Sequence, residues 1–237
     1  MARPDGVAIV SEQHWAFSRA GRSTVSLRAM PRPQARLAHL PFVRGLVKLG
    51  TAVVPLLGRG AASSPRERLL LLMTLVAPLP LLAVPRDYRL PALAAITVGL
   101  ICWMFRGRTL NLHGAEHRAI AAAETRTLVS TWHGTTRPSR FSPRCGTNFA
   151  AMMIPVSLLL DRIWMFRSVA LTPVLVPLLS VMITMEIWLV AQRSTSRLSR
   201  LPLVPGLLLQ RLTTREPAIE ETRVALRAVA AVLSADR

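Results

Sequence analysis

A mainly α-helical membrane protein is what this sequence predicts, and three observations predict it. Hydrophobic residues make up 51% of the 237, with a single tyrosine, and mean hydropathy is +0.37, a balance that points to a bilayer rather than to water. Four apolar runs, 69–85, 90–105, 149–166 and 168–191, are each close to the length that crosses a membrane. The basic residues, finally, are unevenly shared among the segments that separate those runs. The expected architecture is polytopic, with about four transmembrane helices, additional interfacial and cytosolic helices, and a small N-terminal β-hairpin.

Residues 1–36 are polar and arginine-rich, and form the expected cytosolic N-terminal segment. Val7 to Val10 and Trp15-Ala16-Phe17 read as two short strands with Gly21 in a turn. Residues 37–212 make the membrane domain. It opens with an apolar stretch, 37–58, interrupted by Arg44, Lys48 and Pro55, which suits the membrane interface better than a span. Runs 69–85 and 90–105 follow, joined by Arg86-Asp87-Tyr88-Arg89, as a transmembrane hairpin. A polar loop, 106–148, separates them from the last two runs, which contain Asp161 and Glu186. An amphipathic stretch at 198–212 leads to residues 213–237, a cytosolic helix with Ile219, Leu226, Val229 and Leu233 on one face and acidic residues at its start.

Lysine and arginine number eleven in 1–68, seven in 106–148 and eight in 192–237, against two in each of the turns 86–89 and 161–167. The positive-inside rule then puts both termini and the loop in the cytosol, as expected of a multi-pass membrane protein. The formal charge of +18 accompanies no aromatic-and-basic recognition module, so membrane lipids rather than nucleic acid are the expected partners. Cys102 and Cys145 are too few for a disulfide framework.

The polar loop carries the chemistry. His113-Gly114-Ala115-Glu116-His117 spells H-x-x-E-H. Residues four apart share a helix face, so both imidazoles can reach one ion. Glu116 lies about 60° around the axis from His113, where its carboxylate can act as general base on a water that the metal activates. A third ligand is open among Glu186, Glu124 and Cys145, taken in that order. Glu186 leads because a carboxylate inside an apolar run needs a partner. Glu124 returns to the histidine stripe seven residues after His117, and the Cys145 thiolate suits zinc. The expected cofactor is a divalent metal, zinc first, and the expected activity a hydrolysis at the cytosolic membrane face. The alternative is a scaffold or small transporter whose His/Glu cluster is structural.

Several motifs resemble one family. His113-Gly114-Ala115-Glu116-His117-Arg118, Pro143-Arg144-Cys145-Gly146-Thr147, the stretch from Gly206 through Gln210 to Thr214-Arg215-Glu216-Pro217, and Leu40-Pro41-Phe42-Val43-Arg44-Gly45 are similar to the YqhQ-like family, a bacterial domain family of unknown function described as metal-dependent membrane enzymes. The resemblance implies an integral membrane protein with a metal site at His113, Glu116, His117, Glu124, Cys145 and Glu186. It supplies no substrate. Ser142 departs from it, standing where the family has a histidine.

Overall fold

In the computed structural model the described residues are 1–31, 39–57, 63–76, 107–165 and 172–237, with single positions between 85 and 102. They form a mainly helical protein with one small antiparallel sheet. Four strands, β1 (Ala2–Arg3), β2 (Gly6–Val10), β3 (His14–Arg19) and β4 (Val25–Ala29), precede the helices. The helices are α1 (Val43–Leu57), α2 (Pro65–Val76), α3 (Thr109–Glu124), α4 (Leu128–Trp132), α5 (Gly146–Ile163) and α6 (Thr172–Arg193). After them come a 3-10 turn (Leu198–Leu203), α7 (Val204–Thr213) and α8 (Ile219–Ala235). The contacts divide the chain into two units, one of Met1–Met30, Val53–Glu116 and Pro217–Arg237, the other of Pro31–Ala52 and His117–Glu216.

In the first unit the expected hairpin is a four-stranded meander in the order β1-β2-β3-β4. Ala8 pairs with Phe17 and Val10 with Trp15, which places these four side chains on one face. There Ala8, Trp15, Phe17 and Met30 form a buried cluster. Val7, Ile9, Ala16 and Ser18 on the other face are buried as well, and α8 packs against β2, β3 and β4. Gly6 is required by a close approach: a Cβ there would stand 2.3 Å from the Ser18 carbonyl oxygen. Helix α8 starts where Glu221 accepts a hydrogen bond from the Ala218 N–H at 2.9 Å, half of a capping box. Its buried face runs through Val224, Ala225, Ala228, Val229 and Val232 with Leu226, while Ile219 and Leu233 are exposed, so the inward stripe differs from the expected one at both ends. Ser64 and Glu67 cap α2 reciprocally, each side chain taking the other's N–H.

In the second unit α5 packs on α6 and α7, with the 3-10 turn wedged among them. Met152, Ala191 and Leu203 form its apolar centre, with Ile187, Trp188 and Leu207 around them.

The four-span architecture is overturned. Among the described residues one helix, over Val174–Arg193, is long and apolar enough to cross a membrane. Run 149–166 fails for a local reason. Its helix begins at Gly146 with a fully buried Asn148 and ends beside exposed Asp161 and Arg162. The apolar part between them, 149–160, spans about 18 Å at 1.5 Å per residue, short of the roughly 30 Å hydrocarbon thickness. Run 69–85 coincides with α2 only as far as Val76, and residues 77–84 lie outside the described residues, as does most of run 90–105.

Candidate metal centre

Helix α3 supplies the two histidines. Leu112, Ala115, Ala119 and Ala122 are completely buried along it, a repeat of three and four that fixes the rotation of the helix. His113 and His117, one turn apart, then point the same way. Cys145 comes from the N-cap of α5, with extended backbone at φ −69° and ψ 141°. The ligand atoms of His113, His117 and Cys145 all lie within 4.8 Å of one another. His117 and Cys145 are buried and His113 is partly exposed.

Two of the donors are oriented from behind. The Nδ1 of His117 is 2.7 Å from the carbonyl oxygen of Arg140. A carbonyl only accepts, so Nδ1 carries the proton and Nε2 presents its lone pair as the coordinating atom. The Cys145 sulfur accepts from the Thr147 hydroxyl at 3.2 Å and from its N–H at 3.5 Å. Both hydrogen bonds come from the first turn of α5, so the sulfur is held in place at the helix N-terminus.

The loops that carry these groups are tied down by side chains whose roles the sequence did not disclose. Arg118, next to His117 and itself buried, donates to the Pro138 carbonyl at 3.1 Å and to Glu216 at 2.7 Å. Glu216 also meets Arg140 at 3.3 Å, so the H-R and T-R-E-P motifs together hold the loop that offers its carbonyl to His117. On the cysteine side, Gln210 accepts from the Ser142 N–H at 2.9 Å and donates to the Ser142 carbonyl at 2.7 Å. Asn148 donates to the same carbonyl at 2.9 Å. Both amides are fully buried. Gly206, one turn before Gln210, is what lets α7 come close: a Cβ there would lie 2.3 Å from the Asn148 Cα. A glycine and a glutamine four residues apart on a leucine-rich helix were the available signal.

The other candidate residues are placed elsewhere. Glu186, ranked first as third ligand, is not in the cluster. Its carboxylate accepts from the Phe42 N–H at 2.9 Å and from Arg44, whose Nε is 2.8 Å away and whose Nη2 makes a second contact. Phe42 takes a left-handed φ of 66° to present that N–H, and Gly45 lies tight against Met185. The Leu-Pro-Phe-Val-Arg-Gly motif is thus a seat for α6. Glu124 is exposed and pairs with Arg144 at 2.6 Å. Glu116 lies one residue before His117, and its carboxylate is 2.5 Å from the Met1 amino group. Ser142, at the family's histidine position, uses its backbone rather than a side-chain ligand to shape the loop, and its hydroxyl accepts from the Arg144 N–H at 3.2 Å.

Fold and donors together define a class: a mainly helical protein with a two-histidine, one-cysteine cluster between a helix face and a helix cap. A family described as "Protein of unknown function (DUF1385)" matches residues 96–235, more than half of the chain, and the chain belongs to it. The match includes the H-x-x-E-H, P-R-C-G-T and T-R-E-P motifs, and the YqhQ-like resemblance agrees with it. No curated protein and no solved structure matches the chain.

Proposed function

We propose that the protein is a metal-dependent hydrolase associated with a membrane, and that its metal is zinc. The observation that carries this reading is the convergence of His113, His117 and Cys145 within 4.8 Å. Two imidazoles and a thiolate are a donor set that zinc accepts, and three protein ligands leave a fourth position for chemistry. The hydrogen bonds behind His117 and Cys145 support the same reading, since such partners orient ligands and raise their basicity. Zinc, when bound, supplies Lewis acidity and activates water near neutral pH. The chain's own part is to hold the donors in place through Arg140, Thr147 and the Gln210–Asn148 clamp, with Glu116 next to His117 as the proton acceptor. Helix α6 supports the membrane association.

A second reading, a structural zinc site, is favoured by the burial of His117 and Cys145, 3% and 8% exposed. One experiment separates the two. Full-length protein purified without chelator should contain about one zinc per chain, and His117→Ala and Cys145→Ser should each lose most of it. Hydrolysis of an activated ester by the wild type should fall in Glu116→Gln while zinc content stays. Zinc retained with no hydrolysis leaves the structural reading. Absence of stoichiometric divalent metal from folded protein would sink both.

A further inference from the structure

Helix α7 and the 3-10 turn before it are laid out with their polarity reversed. Inward, α7 presents Gly206 and the fully buried Gln210 beside Leu207. Outward it presents Val204, Leu208, Leu209 and Leu212, and the turn adds Leu198 and Leu201. These six are between 40% and 77% exposed, with Leu198 at 77% and Leu212 at 75%. At 100° per residue, Val204, Leu208, Leu209 and Leu212 fall within one arc of the helix. In water such an arrangement is unfavourable, because each outward leucine leaves apolar surface unburied. Contiguous apolar surface of this kind, rimmed by polar groups, marks an interaction site.

The rim identifies the occupant. Arg193, Arg197, Arg200, Arg211 and Arg215 are all exposed around this segment. No acidic residue occurs between Glu186 and Glu216, and those two carboxylates are taken by Arg44 and by Arg118 with Arg140. Leucines on one face with an excess of arginines at the edges, of which Arg193 alone lies in the field of Glu186, are the composition of a helix lying in the headgroup layer of an anionic bilayer. A protein partner would need acidic groups matched to five separate arginines, whereas an anionic lipid surface supplies negative charge everywhere along the edge.

We infer that residues 198–213 form a docking surface for an anionic lipid bilayer, with the leucines at the acyl boundary and the arginines among the headgroups. The inference has a consequence for the metal centre, because the opposite face of the same helix clamps the Ser142–Asn148 loop through Gln210. The Cys145 loop would then sit about one helix diameter, roughly 10 Å, from the lipid surface. A substrate reaching it from that side would be amphiphilic and held in the membrane. The docking surface itself rests on exposure and charge, not on the metal.

The test places a photoreactive amino acid at Leu208 or Leu212 in the full-length protein, reconstituted into vesicles of phosphatidylcholine with phosphatidylglycerol. The expected adducts are lipids, with phosphatidylglycerol enriched about five-fold over its share, the factor equivalent to the roughly 1 kcal/mol that an arginine contributes near an anionic surface. Arg200→Gln with Arg211→Gln should reduce that enrichment measurably while lipid adducts persist. The same probe at Leu233, an exposed leucine of α8, should give few lipid adducts. Adducts to protein, whether a second copy or other parts of this chain, would overturn the inference. So would a probe consumed by water, or equal lipid labelling at Leu233. Leu208 and Leu212 are not among the metal donors, so zinc content in the same samples reads the metal proposal separately.

Discussion

The two units of this chain sort their side chains in opposite ways. In the sheet and α8 of the first, the interior is Val7, Ala8, Ile9, Trp15, Ala16 and Phe17 with the apolar face of α8, and the buried charges there are paired, Arg3 with Glu67 and Glu221 with Arg108. In the second, Asn148, Ser180, Thr184, Gln210 and Thr214 are at or near zero exposure while Ile154, Leu158, Leu159, Leu198 and Leu212 are more than half exposed. The first pattern is what water selects. The second costs free energy in water, and it survives where buried amides are fully hydrogen-bonded and the outward leucines have something apolar to meet. The contrast teaches that one chain can hold two cores of different construction, and that the buried amides of the second fix the Ser142–Asn148 loop.

The largest expected effect attacks the first unit. Trp15 is 3% exposed inside the sheet cluster, and Trp15→Ala should destabilise the protein by about 3–5 kcal/mol through the cavity left behind. Denaturant unfolding measures the loss. Metal held at the proposed centre, per folded chain, should be unchanged, because Trp15 belongs to the sheet cluster and the proposed donors do not; a parallel loss would merge the two cores into one.

A smaller effect, with the opposite division of consequences, is expected from Gln210→Leu. The substitution nearly conserves volume but removes the bonds to both backbone groups of Ser142 and to Asn148. Leaving buried polar groups unsatisfied should cost about 1–3 kcal/mol. If the proposed centre binds zinc, its affinity should drop about ten-fold or more, as when a group that orients a ligand is removed, by equilibrium titration against a competing chelator. Unchanged affinity would reduce the clamp to ordinary packing.

The smallest effect concerns pH. The His14 ring, 2.7 Å from Asp236, holds that carboxyl below its ordinary value of 3.8. A depressed folded pKa means that the pair's contribution is present above 3.8 and is lost as pH falls through the lower folded value. Wild type should therefore be slightly more stable than Asp236→Asn at pH 5, with the difference shrinking below pH 4. The difference should be small, since both side chains are about a quarter exposed. The amide and hydroxyl network of the second unit does not ionise in this range, so acid should leave the Gln210 clamp intact; a Gln210→Leu defect that varied across the same window would contradict that.

How much of this could be read from the chain follows the range of the forces involved. The sharing of a helix face by His113 and His117 is a property of 3.6-residue periodicity and was legible from spacing, as were the strands around Val7 and Trp15 and the amphipathic character of the last helix. Those are local, settled within a few residues by backbone geometry. The membrane spans were misread, because a hydropathy run reports composition, whereas crossing a bilayer requires uninterrupted length; in the third run the helix ends at Ile163, and Asp161 and Arg162 leave only 149–160 apolar. Nor was the fate of Glu186, since its partners Phe42 and Arg44 are more than 140 positions away in sequence. Gathering Cys145 beside the two histidines is likewise tertiary. It depends on Gly206 allowing α7 to approach Asn148 and on Gln210 pinning Ser142. Those are contacts between distant segments, and they form only once the helices have packed.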